Sequence, residues 1–392
     1  MKKALILSNN LTNRGGAERY CIYLAKGLEN AGFHPIIATM EECIIENESK
    51  YNGLTLNNTT HIKIPTYPKV GPRAVNNLYQ DIFTEKFLRK INADLFINVS
   101  SYSNISGTGQ KNIYIVHFPQ RILPPVEGNI RTKYIKGMHL LRKGLHRNKD
   151  FFETYDLILA NSHFTKSYIN ERWGVISEVL EPPCLFPSTT EKSSRRNAIL
   201  NVGRFEVIKK NIPHKSQHEL INAFRNFKDI DCNGYELWLA GTAKGEGFSY
   251  LKHLEDLTEG LPVKFFPNAS FSQLQSLYKN ARFYWHAQGF NADIDNYPET
   301  QEHFGMTTVE AMGYGLIPCV INTAGPHEVT QNISPLLQWS TLDELVDNTI
   351  RLSKLPSSSL RQLREQVQKR AHTYDPEHFE EKLYHFIQRL EP

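Results

Sequence analysis

The stretch "EHFGMTTVEAMGYGLIPCVINTAGPHEV", residues 302–329, places Glu302 and Glu310 on either side of a Phe304-Gly305-Met306-Thr307 turn. The turn runs into an apolar helical pattern, and "IPCVIN" beyond it reads as a buried strand. A helix that starts at a glycine presents unpaired backbone N–H groups and the positive end of its dipole, which favours an anion or a sugar oxygen. A carboxylate does not belong on a phosphate, so the two acids need another partner. Vicinal hydroxyls supply one, because the two oxygens of a carboxylate can accept both O–H donors of a cis-diol. A ligand with a diphosphate at its centre and a sugar diol at either end matches that order of charge. Helix capping with surface acids is the alternative, and it accounts poorly for Glu310, which sits among Val309, Ala311 and Met312.

Working outward, the same rhythm of apolar strand and amphipathic helix fills the chain. "ALILSN", "PIIATM", "HIKIP", "ADLFINVS", "NIYIVHFP" and "DLILANS" read as strands, with helical patterns from Gly15–Gly16 onward and near 76–90, 132–147 and 163–172. The run "EPPCLFPSTTEKSSRRN" interrupts this series, and a linker is expected around 182–196. A second series follows: "AILNVGRF", "YELWLAG", "VKFFPN", "FYWHA" and "IPCVIN", each with a helix after it. Apolar strands alternating with helices predict parallel sheets covered on both faces. With 392 residues, two such doubly wound α/β domains are expected, facing a shared ligand across a cleft. The expected boundaries are 1–188 and 189–374, with a closing helix over 375–392.

Three further constellations fit the same ligand. Gly15 and Gly16, between the first strand and helix, allow close backbone approach to a phosphate or sugar, or make a plain tight turn. "NVGRFEVIKKNIPHKSQ" puts Gly203 and Arg204 after a strand and then Lys209, Lys210 and Lys215 before a helix; a fork and a point charge suit a diphosphate, and a solvated basic loop is the alternative. His117 ends a strand, where a neutral imidazole can bond a sugar hydroxyl or a backbone carbonyl.

The totals exclude other classes. Hydrophobic content of 40% and charged content of 22% describe a globular protein, and a formal charge of +4 is too mild to imply nucleic acid. Cys21, Cys43, Cys184, Cys232 and Cys319 show no paired spacing, so reduced thiols are expected, with Cys319 in the core. No run approaches the ~20 apolar residues of a membrane helix. A cytoplasmic protein is expected, or one peripheral to a membrane's cytoplasmic face. For that second setting the candidate is 131–149, "RTKYIKGMHLLRKGLHRNK", with seven Lys or Arg among its apolar residues. A solvated helix face is the alternative.

"NVGRF", "KSQHELINAF", "NASFSQLQSLYKNARFYWHA" and "EHFGMTTVEAMGYGLIPCV" together resemble the retaining glycosyltransferases of family 4, which have the GT-B fold. The spacing from Glu302 to Glu310 resembles that family's signature, and "YIVHFP" and "VLEPPC" resemble members acting on lipid-linked glycans. The resemblance implies a hexosyltransferase, of mannose or glucose type, using a UDP- or GDP-sugar and a glycan or lipid-linked glycan acceptor, with no metal or cofactor and no nucleic acid. It implies that Arg204 and a lysine hold the diphosphate, Glu302 and the amides of Phe304, Gly305 and Met306 the transferred sugar, and Glu310 the ribose. Gly203 and Thr307 adjoin these groups, and the turn of Asn268 would border the base. His117 with Gly15 and Gly16 would complete the site. Lys215, at the family's distance from "ELINAF", is the expected diphosphate lysine, and Lys210, which fits the family's shorter gap behind the arginine, is the runner-up. Asp293 and Asp295 resemble a metal-binding pair of another glycosyltransferase fold, but an exposed acidic loop is the expected reading. A non-catalytic scaffold and a sugar-nucleotide epimerase on the same fold are the alternatives.

Overall fold

In the computed structural model, β1 (Lys2–Leu7) is a strand because Ala4, Leu5 and Ile6 are apolar on both faces, and all three are fully buried. The structure describes all residues except 14, 70, 123–129, 188–194, 210, 231–233 and 391–392, and the side chains of 130, 131, 229 and 230. Lys210, Cys232 and residues 188–194 of the expected linker lie outside the described residues. Contacts divide the chain into two units, Met1–Pro182 with Phe379–Pro392, and Pro183–His378.

In the first unit, α1 (Gly16–Asn30) follows β1, then β2 (Phe33–Thr39), α2 (Ile45–Tyr51), β3 (Thr60–Lys63) and α3 (Arg73–Arg89). Next come β4 (Leu95–Asn98), β5 (Lys111–Val116), α4 (Ile130–Leu145), β6 (Leu157–Ala160), α5 (His163–Trp173) and β7 (Glu178–Val179). All pairings are parallel and the order is β3-β2-β1-β4-β5-β6-β7. The short helix α2 is not expected from its polar, acidic sequence.

The second unit repeats the scheme. It runs β8 (Ala198–Val202), α6 (Gln217–Ile230), β9 (Glu236–Gly241), α7 (Gly247–Leu257), β10 (Val263–Pro267) and α8 (Phe271–Asn280). It continues through β11 (Phe283–His286), α9 (Met306–Gly313), β12 (Ile317–Ile321), α10 (Ala324–Thr330), β13 (Gln338–Trp339), α11 (Leu342–Ser353) and α12 (Ser357–His372). The sheet order is β10-β9-β8-β11-β12-β13, again parallel. The chain leaves the β10 edge and re-enters beside β8, so a crevice opens between the carboxyl ends of β8 and β11, the place where such sheets bind ligands.

The final helix, α13 (Pro376–Gln388), belongs to the first unit from Phe379 onward. Phe379 meets the Tyr20 ring edge-on at 5.4 Å, and a Cβ on Gly27 would stand 2.9 Å from Leu383 Cδ2. Lys382 and Arg389 reach Glu181 and Glu178 at 2.8 and 2.9 Å.

One backbone contact sets the crevice floor. A Cβ on Gly241, at the end of β9, would lie 1.9 Å from the carbonyl oxygen of Gly203, so only glycine lets β9 close on β8 there. Gly241→Ala is expected to cost about 3 kcal/mol of stability, since backbone cannot move aside as a side chain does. Calorimetry checks this: a fall in Tm of roughly 6–10 °C is expected, and an unchanged Tm would contradict the contact.

Candidate functional site

The second unit assembles its polar groups at the β8–β11 crevice. Gly203 and Arg204 follow β8, and α6 is tied to them because Gln217 Nε2 donates to the carbonyls of both, at 3.2 and 3.1 Å. The stem of Lys215 crosses Gly203 so closely that a Cβ there would meet Lys215 Cγ at 2.7 Å. Gly203 therefore acts as the bed of the lysine. Lys215 Nζ then donates to Glu302 Oε2 at 2.5 Å, with the two side chains only 20% and 18% exposed. This joins the loop after β8 to the loop after β11.

Burial pushes the Glu302 carboxyl up, but the ammonium of Lys215 and, behind it, His286 outweigh this and hold it well below the usual carboxylate range. His286 ends β11 with its Nε2 3.6 Å from the same Oε2. It is 2% exposed, and neither ring nitrogen has a hydrogen-bond partner among the described residues. Burial keeps it below the ordinary imidazole value, against the pull of Glu302. The site thus holds an anion, a cation and a neutral imidazole together at the carboxyl ends of two central strands.

Around the helix start, Gly305 is the N-cap of α9 at φ 97°, a left-handed conformation that suits glycine. Gly325 approaches so tightly that a Cβ would meet Phe304 Cα at 2.3 Å, and its N–H donates to the Glu302 carbonyl at 3.0 Å. Phe304 is buried against the Tyr374 ring. The Met306 carbonyl accepts from Cys184 Sγ at 3.7 Å, and Thr307 Oγ1 meets Tyr284 OH at 2.7 Å. Glu310 is 4% exposed and accepts from Tyr278 OH at 3.0 Å, so its carboxylate is anchored within the unit.

Other expected residues lie apart from that cluster. Arg204 is about half-exposed, and its Nε contacts Glu206 Oε1 at 3.2 Å. Asn268, at φ 55°, has its side-chain amide taken up by the backbone of Ala243, at 3.1 and 3.2 Å, so it shapes a turn. Asp293 accepts from Asn296 N and Nδ2 at 3.1 and 2.8 Å, which orders its loop. Cys319 is fully buried, and burial pushes its thiol up to about 12.

In the first unit, His117 follows β5 and its Nε2–H donates to the Val99 carbonyl at 3.0 Å. That fixes Nδ1 as the ring's acceptor, and burial lowers the imidazole to about 4, so it is neutral at pH 7. Gly15 caps α1, with its N–H bonded to Glu18 Oε2 at 2.9 Å, and Gly16 is the first helical residue.

Three groups at the crevice escape sequence reasoning: His286, Tyr278 and Tyr284. In "FYWHA" the two-residue period of a strand puts Tyr284 and His286 on one face, but alternation by itself does not mark them as crevice residues, and Tyr278 on α8 carries no comparable signal.

Two family models match the chain: "Glycosyl transferases group 1" over residues 187–371 and "Glycosyltransferase Family 4" over residues 14–181. Alpha-1,3/1,6-mannosyltransferase ALG2 of Kluyveromyces lactis is 24% identical over 359 residues, covering 80% of this chain and 68% of that protein. A GDP-Man:Man(3)GlcNAc(2)-PP-Dol alpha-1,2-mannosyltransferase of Eremothecium gossypii is 25% identical over 185 residues, covering 44% of this chain and 29% of that one. Among solved structures, Anabaena HepE in complex with UDP-glucose superposes with a TM-score of 0.67 at 15% identity, covering 99% of this chain and 100% of that one.

The Lys215–Glu302 pair is open to direct measurement. Lys215→Met strands a largely buried carboxylate and is expected to destabilise the protein by on the order of 3 kcal/mol, whereas Lys215→Met with Glu302→Gln recovers much of that. Chemical denaturation of both single variants and the double variant gives the coupling; purely additive effects would mean that the pair does not exist.

Proposed function

Since the chain belongs to the family 4 glycosyltransferases, with the GT-B fold, we propose that it is a retaining hexosyltransferase that moves a mannosyl group from GDP-mannose to a lipid-linked glycan. The carrying observation is the Lys215–Glu302 contact at the carboxyl ends of β8 and β11. The names of the mannosyltransferase relatives support the choice of sugar, donor and acceptor class.

In this reading Lys215 keeps one N–H on Glu302 and offers its remaining donors to the diphosphate, with the exposed fork of Arg204 as the second cation. Glu302, held ionised, takes hydroxyls of the transferred sugar, oriented by Lys215 and His286. The amides of Phe304, Gly305 and Met306 receive its remaining oxygens at the start of α9. Glu310 serves the ribose, with Tyr278 fixing its carboxylate, and Thr307 is set by Tyr284. Gly203 positions the lysine stem, and the Asn268 turn borders the base. His117 Nδ1 accepts a hydrogen bond from a hydroxyl of the acceptor, and Gly15 and Gly16 allow close backbone approach at the start of α1.

Transfer breaks the bond from the sugar's anomeric carbon to the diphosphate and forms one to the acceptor oxygen on the same face. The acceptor proton passes to the leaving phosphate oxygen, so no protein nucleophile is needed. Stabilisation of the departing charge by Lys215 and Arg204 supplies the catalysis. Neither a metal ion nor a cofactor takes part in this scheme.

Incubation with GDP-mannose, UDP-glucose and other sugar nucleotides, plus a lipid-linked chitobiose acceptor, tests it. Free nucleoside diphosphate and an α-glycoside are expected, and Glu302→Gln is expected to lower kcat by about 10²-fold or more. An epimerised donor, or no product with any pair, would overturn the reading.

The acceptor class also suggests where the enzyme works. Among the described residues no helix is long and apolar enough to cross a membrane. On α4, however, Tyr134, Leu140, Leu141 and Leu145 are exposed, with Lys133 beside them. We propose that this face docks on an anionic cytoplasmic leaflet, with the apolar side chains in the interface and the cations on headgroups. Flotation with phosphatidylserine vesicles should recover the protein, and Leu140→Ser with Leu141→Ser should release it; absence of vesicle binding by the native chain would remove the proposal.

A further inference from the structure

Beside the crevice lies a second cavity that the scheme above does not use. Residues of the loop after β8 and of the loop after β11 enclose about 360 Å³, within the ~300–1,000 Å³ of small-ligand sites. One wall carries Asn211, Ile212 and His214, and the other Phe290, Asn291 and Tyr297. Ser216 and Thr300 also line it, next to Lys215 and two residues before Glu302, so the cavity adjoins the crevice along both loops.

The chemistry of the lining narrows the ligand. Tyr297 and Ile212 are 37% and 50% exposed, an apolar and aromatic rim that water covers in the free protein. The amides of Asn211 and Asn291 and Nε2 of His214 provide donors and acceptors, while the ring nitrogens of His218 face Tyr250 OH and Glu219. Among the described lining residues the one ammonium, Lys209, is bound to Glu246 Oε2 at 2.7 Å, and the Asp293 carboxylate is held by the neutral amide of Asn296. Glu219 faces His218 at 3.5 Å. Burial, with His218 beside it, lowers His214, so that it is neutral at pH 7. An anion would meet the carboxylates of Glu219 and Asp293 and, among the described residues, no uncompensated cation, whereas sugar hydroxyls can donate to those carboxylates.

The backbone is strained at three points of this lining. Asn211, Ser216 and Asn291 have φ of 59°, 52° and 58°. Asparagine tolerates that region, but serine does so rarely, and Ser216 is held in it by burial and by contact of its Oγ with His214 Nδ1 at 3.1 Å. Such conformations collect where loops are shaped for a ligand.

We propose that this cavity is a saccharide subsite that takes one neutral sugar ring, stacked on Tyr297 and hydrogen-bonded by the asparagine amides and His214. Its assignment to the glycan acceptor rests on the transferase reading above; the binding of the sugar does not.

Saturation-transfer NMR with α-1,3-mannobiose, chitobiose and maltose tests it on the full chain. Saturation of at least one disaccharide is expected, retained under saturating GDP, cut at least fivefold by Tyr297→Ala and kept by Tyr297→Phe, with both variants melting as the native protein does. Absence of saturation for all three, its loss on adding GDP, or an undiminished signal in Tyr297→Ala would overturn the subsite. Parallel titrations with GDP-mannose and UDP-glucose separate the two readings. Donor binding without disaccharide binding removes the subsite alone, and disaccharide binding without donor binding removes the transferase reading alone.

Discussion

The contact between Lys215 and Glu302 is the constraint on which the second unit's crevice depends. It spans the two loops that leave β8 and β11, and those strands are neighbours only because the chain crosses over between β10 and β11. A carboxylate so little exposed keeps its charge only beside a cation, and a lysine can reach it only across a residue without a side chain. Gly203 is that residue, and Gly241 below it lets the strands close. Ionisation, lysine path and strand packing are therefore one requirement expressed at three positions.

The same arrangement links stability to chemistry. Ion pairs that are largely buried contribute little net stability, since the cost of removing both ions from water offsets their attraction. Their value lies in geometry. Here the pair sets a carboxylate orientation that the neutral His286 supports, and in the proposed reaction that carboxylate meets sugar hydroxyls while the ammonium meets phosphate. Electrostatic stabilisation then needs no side chain to form a covalent bond.

Much of this was legible in the sequence. Apolar runs of strand length alternating with amphipathic helices specify parallel, two-sided sheets, and the glycine between Glu302 and Glu310 marks the start of a helix. Retaining family 4 motifs spread over nearly the whole chain made the GT-B fold readable as well. Lys215 could be favoured over Lys210 because its distance to α6 was right. His286 could not be recognised, since a histidine within "FYWHA" looks like any half-buried strand residue until its neighbour across the crevice is known. The commitments of Asn268 to Ala243 and of Glu310 to Tyr278 were equally invisible, because each joins residues that sequence spacing does not relate.

By itself, then, the sequence determined the kinds of element, their alternation and the chemical types available to the site, since periodicity and side-chain chemistry are local properties. Only the tertiary structure decided which of those groups meet. The order β10-β9-β8-β11-β12-β13 brings Lys215 to Glu302 and His286, and sets two long loops around a shared cavity. Contacts of that kind depend on strand order and on close backbone approach, which are properties of the packed chain and not of any single segment.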